Sequence, residues 1–399
     1  MAKQPQVVLL IESSRGYGRG LLRGIAEYIR AHGPWSVYLQ RHDLYDAVPP
    51  WLRKWRGDGI IARIENEKTA RAIRDLGVPA IDLRGRMLDP AMPSILTDDE
   101  AGARMAAQHL TKRGFQHFAY CGSVGTPYSD ARSVVFERVI AAAGFSCRIY
   151  QPSRPLHSGR GERMEVPGLI YEKNLVGWIR TLPKPIGVMA CNDERGQQVI
   201  NACRDLGIAV PDEIAVVGVD NDDVVCDLCD PPLSSVVPNT RKIGFEAAAL
   251  LEQMIAGKDP PDTPIYVQPL GILTRRSTDV LAIDDQDIAE AIRFIREHAC
   301  DGITVEDVVD RLPLSHSALE RQFSKLLGRT PKAEIIRVQL ERVKQLLAES
   351  DLTLKQISVK AGFRHPEYMS AIFKEKVGHT PGHYRQQAQQ RKVNGHALR

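Results

Sequence analysis

The chain has 399 residues, 43% hydrophobic and 26% charged, too long for one ordinary domain, so two or three are expected. No apolar run approaches the roughly 20 residues that span a bilayer, and the first, residues 7–11, meets Glu12 at once, which argues against a signal-peptide core and predicts a cytoplasmic protein. The net charge of +4 is uneven: residues 1–284 are neutral, while residues 351–399 alone carry +6, which points to a polyanion partner or, more blandly, to a solvated basic tail at 389–399.

Through residue 280, short β-rich runs alternate with amphipathic stretches. Strands are expected at 7–11, 36–39, 59–62, 80–83, 118–121, 186–190 and 215–219. Helices are expected at 18–30, 69–76, 99–113, 130–143, 175–182, 193–206 and 241–256. This alternation predicts parallel sheets covered by helices, with Val and Ile filling strands buried on both faces. Ligands of such sheets sit beyond the C-terminal ends of the strands. The residues there are polar: Ser13, Ser14 and Tyr17 after the first strand, Asn192 and Asp193 later, then Asp220, Asn221, Asp222 and Asp223. They suit a small hydroxylated ligand. Gly16-x-Gly18-x-Gly20 has the wrong spacing for a dinucleotide fingerprint, and the next strand closes on Gln40-Arg41 rather than an acid.

The run Pro211-Asp212-Glu213-Ile214-Ala215-Val216-Val217-Gly218-Val219-Asp220-Asn221 carries a family likeness. So do Pro232-Leu233-Ser234-Ser235-Val236, Arg275-Arg276-Ser277-Thr278, Leu96-Thr97-Asp98 and Arg132-x-x-x-Phe136. On these, residues 6–282 resemble the sugar-binding core of the lactose/galactose repressor family, itself similar to periplasmic sugar-binding proteins. The resemblance implies two lobes with sugar in the cleft and three crossovers, near 110–117, 237–242 and 268–275. The family's N-terminal DNA-binding headpiece is missing, since the first strand begins at Val7. Asp98, Arg132 and Asp220 are the leading sugar contacts, with Ser13, Tyr17, Asn192 and Asn221 secondary; capping of a helix or turn is the competing role for Asp98 and Asp220. Residues 152–168 read as a surface loop rich in Gly, Arg and Pro.

The last 115 residues contain a repeat. Leu319, Phe323, Gly328, Thr330 and Pro331 align with Met369, Phe373, Gly378, Thr380 and Pro381 at an offset of 50. Each copy reads as helix–turn–helix, at 304–326 and 353–376, with Thr304 and Thr353 as N-caps and Gly362 as a left-handed turn residue. Residues 332–349 read as a rigid connecting helix. The string Arg337-x-x-Leu340-x-x-Val343-x-x-Leu346-Leu347, Ile357-x-x-x-Ala361-Gly362-Phe363, Phe373-Lys374 and Gly378-x-Thr380-Pro381-x-x-Tyr384-Arg385 resembles the arabinose-regulator (AraC/XylS) family of DNA-binding domains. Val343, Ser358 and Met369 depart from that family's usual Ala, Ala and Phe. These are tolerable core exchanges.

The resemblance implies a double helix-turn-helix domain over 285–388 whose two reading helices, about 34 Å apart, enter successive major grooves. Its base-reading positions fall on Ser315, His316, Ser317, Glu320 and Arg321, then His365, Glu367, Tyr368 and Ala371. Arg321 suits guanine and Glu320 suits cytosine; Lys325, Arg364, Lys374, Lys376 and Arg385 suit phosphates. Any one of these is as readily a solvated surface charge; the cluster together is not.

No catalytic signature is evident. Cys226-x-x-Cys229 lacks a second ligand pair at zinc-finger spacing, and seven scattered cysteines suit reduced thiols. No metal or cofactor is expected. The fold class is thus an α/β two-lobed periplasmic-binding-protein-like core followed by an all-α double helix-turn-helix domain. That pairing resembles the xylose-operon regulators over nearly the whole chain, which implies D-xylose as effector, with another sugar or sugar acid as the alternative. The expected partners are double-stranded DNA, the sugar, a second copy of the chain and RNA polymerase. In the mechanism expected, sugar closes the cleft and reorients the DNA-binding domains of a dimer. A transport binding protein would need a signal peptide and no DNA domain; a nucleotide-dependent enzyme would bind NAD or ATP in calorimetry, and no binding is expected.

Overall fold

The computed structural model describes residues 4–39, 48–86, 89, 92–123, 125–151, 173–279 and 285–386. The surface loop expected at 152–168 and the basic tail at 389–399 lie outside the described residues. The chain divides into two compact units, Met1–Ala282 and Ile283–Arg399.

In chain order the first unit runs β1 (Gln6–Leu10), α1 (Gly16–His32), β2 (Ser36–Leu39), β3 (Gly59–Ala62), α2 (Glu67–Arg74), β4 (Ala80–Asp82), β5 (Ile95–Thr97), α3 (Asp99–Thr111), β6 (His117–Cys121), α4 (Pro127–Ala142), β7 (Cys147–Ile149), α5 (Lys173–Arg180), β8 (Ile186–Ala190), α6 (Asp193–Asp205), β9 (Ile214–Val219), α7 (Asp223–Leu228), β10 (Ser234–Val237), α8 (Thr240–Ile255), β11 (Ile265–Val267) and β12 (Gly271–Leu273). Two sheets result. One has the order β2-β1-β3-β4, all parallel, and a bridge from Asp82 to Ser94 continues it toward the β5–β11 pair. The other has the order β12-β10-β9-β8-β6-β7, parallel except at β12. β3, β8 and β9 are buried along their whole length, which is why their residues are apolar without alternation.

The chain returns from the second sheet to the first after β10. α8 packs on α1, and both bury apolar faces in the first sheet's core through Leu21, Ile25, Ile243, Ala247 and Leu251. Glycines permit the close approach. A Cβ on Gly24 would lie 2.0 Å from the Arg241 carbonyl, and one on Gly244 would lie 2.1 Å from the Leu21 carbonyl. The N-terminal strand is thereby locked to a helix more than 200 residues later.

The last residues of the first unit are pinned by a polar cluster. Thr278 Oγ1 donates to Ser234 Oγ at 2.7 Å, Ser277 Oγ donates to the Val216 carbonyl at 2.6 Å, and His109 Nε2 meets Thr278 Oγ1 at 2.8 Å. Arg113 also donates to the Thr278 carbonyl. Burial, then the Arg113 cation, pushes the His109 imidazole down to about 3.

The second unit is helical: α9 (Gln286–His298), α10 (Val305–Val309), α11 (His316–Leu327), α12 (Pro331–Glu349), α13 (Leu354–Lys360) and α14 (Pro366–Val377). Thr304 and Thr353 each form a capping box, with Asp307 and Gln356, and Gly362 takes φ +78. Val343, Ser358 and Met369, the family departures, are all buried. α9 was not anticipated. Asp285 caps it, and its Ile288, Ala291, Ile292 and Ile295 complete the core of the first repeat.

Two predictions follow from this packing. Gly24→Ala should destabilise by about 1–3 kcal/mol through overpacking, whereas Gly177→Ala, whose Cβ meets nothing within 4 Å on exposed helix, should gain up to about 1 kcal/mol. Urea unfolding decides; similar small effects from both would refute the close-approach argument. His109 is neutral when folded but takes a proton when unfolded below its ordinary 6.5, so its stabilising contribution is intact above 6.5 and is lost as pH falls toward 3. Between pH 7 and 5 the wild type should lose about 1–2 kcal/mol more than His109→Gln, measured by thermal melts at both pH values.

Candidate functional site

Between the two sheets of the first unit lies a cavity of about 530 Å³. Residues that follow strands line it: Arg15 and Tyr17 after β1, Arg63 after β3, Arg84 after β4, Asp98 and Asp99 after β5, Asn192 after β8 and Asp220 after β9. Tyr128, Ala131 and Arg132 of α4 complete the wall. The common placement follows from the strand-end rule for open α/β sheets.

Arg132 is 4% exposed. Its Nε and Nη2 donate to Asp99 Oδ1 at 2.8 and 2.7 Å, and Nη1 donates to the Cys191 carbonyl. Burial works against the cation, but the Asp99 and Asp220 carboxylates outweigh it and hold its pKa above the ordinary value. Burial raises the Asp99 carboxyl despite the pull of Arg132. Two guanidiniums lie over the Tyr128 ring, with Arg132 Cζ 4.8 Å and Arg84 Cζ 5.2 Å from its centre. Across the cavity, Arg63 Cζ lies 4.7 Å from the Tyr17 ring centre, and Tyr17 OH meets Thr97 Oγ1 at 2.9 Å. Burial raises the Tyr17 hydroxyl, which stays neutral and able to donate. Arg63 pairs with the buried Glu12, and its Nε has no hydrogen-bond partner.

Of the sugar contacts expected from sequence, Tyr17, Asp98, Arg132, Asn192 and Asp220 line this one cavity; Ser13 and Asn221 do not. The Ser13 carbonyl accepts from Arg19 at 3.3 Å, and Asn221 Oδ1 accepts from Arg275 Nη1 at 2.9 Å. Asp98 and Asn192 also cap α3 and α6, accepting from Ala101 N and Arg195 N at 2.8 Å each. Asp98 Oδ2 accepts from Gln268 as well. Asp220 and Asn221 have φ of +110 and +47, conformations that non-glycine residues adopt at a cost and that concentrate at binding sites. Sequence reasoning missed Arg63, Arg84, Asp99 and Thr97. The strand-end rule would have found the first two.

Contacts across the mouth of the cleft join the sheets' flanking elements. Asp222, before α7, accepts from Gly16 N at 2.5 Å and from Arg19 Nη2 at 3.3 Å, and Arg15 pairs with Glu194 at 3.5 Å. Cys226 and Cys229 are free and buried. Burial, with Asp193 nearby, pushes Cys229 up to about 12 and Cys226 higher still, which leaves both as inert thiols. Among the described residues no group of metal-ligating side chains converges, and no helix is long and apolar enough to cross a membrane.

In the second unit, Ser315 caps α11 through Ala318 N at 3.3 Å. Ser315, His316, Ser317, Glu320, Arg321 and Lys325 are exposed on and before α11, whose Leu319 and Phe323 are buried. Arg364, His365, Glu367, Tyr368, Ala371, Lys374 and Lys376 are exposed on and before α14, whose Met369 and Phe373 are buried. Arg385 differs: it is half-buried and donates to the Leu352 carbonyl.

Family models match in three stretches: an XylR N-terminal domain over residues 6–99, a periplasmic binding protein-like domain over 107–278 and a helix-turn-helix domain over 308–387. A xylose operon regulatory protein of Escherichia coli (strain K12) is 30% identical over 96% of this chain and 97% of its own. One from Haemophilus influenzae is 30% identical over 95% and 98%. A solved structure described as the xylose-binding transcription activator XylR matches with a TM-score of 0.76 at 29% identity, covering 96% of this chain and 98% of that one.

Proposed function

The chain belongs to the family of xylose operon regulatory proteins, and on that premise we propose that D-xylose is the effector of this sugar-responsive, DNA-binding transcription regulator. The observation that carries the sugar reading is the cavity itself. Charge-assisted donors and acceptors ring it, with two tyrosine faces between them. Such groups bind hydroxyls more strongly than neutral partners do. Asp98, Asp220 and Asn192 serve the sugar hydroxyls, and Arg132, held rigidly by Asp99, presents a fixed donor. Sugar acts by binding the closed cleft more tightly than the open one, and that difference limits how far it can bias DNA affinity.

DNA is read by α11 and α14. Arg321 takes a guanine edge, and Lys325, Arg364 and Lys374 take phosphates. The protein works in the cytoplasm as a homodimer, meets RNA polymerase at its promoter, and carries out no catalysis. The sugar-binding core spans 6–282 and the DNA-binding domain 285–388. A second reading, a sugar acid as effector, draws on the four arginines, Arg15, Arg63, Arg84 and Arg132, around the cavity.

A thermal-shift panel of D-xylose, L-arabinose, D-ribose and D-xylonate tests the effector. D-xylose should give the largest stabilisation, about 2.7 kcal/mol at a hundred times Kd; a larger shift with D-xylonate would replace it. Asp220→Asn tolerates the left-handed backbone and should weaken xylose binding about tenfold to a hundredfold, the worth of one charge-assisted bond. A variant that melts lower yet keeps the full xylose shift would make Asp220 structural only. Arg321→Ala should cost about 1–3 kcal/mol on a selected duplex and relax preference at one base pair, read by competition binding. An equal loss on every sequence would make Arg321 a phosphate contact.

A further inference from the structure

α12 serves two cores. Ile335 and Val338 pack into the first repeat with α9, α10 and α11, while Leu340, Val343 and Leu347 pack into the second with α13 and α14. Between them, at the seam, lies Gln339, 6% exposed. A buried amide in mid-helix is costly unless its donors are used. Here Nε2 donates to the Ala299 carbonyl at 2.9 Å and to the Gly362 carbonyl at 3.1 Å. Ala299 begins the 3-10 turn Ala299–Asp301 that ends α9, in the first repeat, and Gly362 is the turn of the second. One side chain therefore joins three segments of both repeats.

The backbones themselves touch at the same place. A Cβ on Gly362 would lie 2.6 Å from the Ala299 carbonyl and 2.9 Å from Cys300. Gly362 thus serves a packing need as well as its φ of +78. The clamp's two carbonyls accept from a single nitrogen, so rotating one repeat against the other breaks at least one bond; the Ala299 carbonyl also accepts from Gly302 N at 3.3 Å, so the larger cost falls on the Gly362 carbonyl.

We propose that Gln339 is a positioning residue for DNA recognition: it sets the fixed relation between α11 and α14, and with it the number of base pairs between the two half-contacts the protein accepts. This rests on the reading of α11 and α14 as the DNA-reading helices. Rigidly joined readers bind the second half-contact at high effective concentration only where the spacing matches, and loosened readers lose affinity while tolerating other spacings.

The test uses the full chain with D-xylose and a duplex selected by the wild type from a random pool. Affinities are measured on that duplex and on versions with one base pair inserted or deleted between the half-contacts. The wild type should discriminate strongly among spacings. Gln339→Met keeps the volume and helix propensity but removes both donors. It should bind the selected duplex about tenfold or more weaker and lose most of that discrimination. Gln339→Asn, one methylene too short to reach both carbonyls, should do the same and serves if the Met variant does not fold. A variant that melts lower but keeps the wild-type ratio between spacings overturns the inference, as does a wild type indifferent to spacing. A wild type that selects no duplex would instead overturn the DNA-binding reading.

Discussion

A guanidinium taken out of water must have its donors used, and Arg132 sets that requirement for the whole ligand-binding unit. Its nitrogens are met by Asp99 at the start of α3 and by the Cys191 carbonyl just beyond β8, so a helix N-terminus, a strand end and α4 are fixed to one another. Removing one partner from such a buried pair typically costs about 3–5 kcal/mol, more than most sugar hydroxyl contacts contribute. The cavity wall is therefore built before any ligand contact is counted. The contact of the Tyr128 ring with Arg132 depends on that placement.

The two units solve the same problem at different scales. In the first, distant parts of the chain are brought together by glycine-mediated contact of α1 with α8, so a lobe is built from discontinuous sequence. In the second, two small cores share one helix. The shared α12 gives each a wall that the other stabilises.

What was legible in the sequence follows from how strongly physics constrains each residue. The fully buried strands β3, β8 and β9 had to be apolar, and in the second unit the caps Thr304 and Thr353 recur at an offset of 49 and the glycines Gly328 and Gly378 at 50. The three-residue strands β5, β7, β11 and β12 are too short for any period, and α9 fell outside the repeat that drew attention. In the cavity, Asp98 and Asp99 are adjacent carboxylates that sequence alone does not separate. Helix phase does: Asp98 caps α3, and Asp99, one position on, reaches Arg132. The positive φ of Asp220 and Asn221 also had no sequence mark, since Asp and Asn tolerate it without requiring it.

The ion pairs at the mouth of the cleft, Arg19 with Asp222 and Arg15 with Glu194, are partly solvated, and neither has a guanidinium as buried as that of Arg132. Their attraction is screened over about 8–10 Å at ordinary ionic strength. On the mechanism proposed above, in which cleft closure raises DNA affinity, salt acts twice: it weakens the Lys and Arg contacts to phosphate and it loosens the cleft. On that mechanism the slope of DNA affinity against salt, usually converted into a number of phosphate contacts, overcounts them. Subtracting the slope of a variant with neutral residues at 19 and 222 would restore the true count.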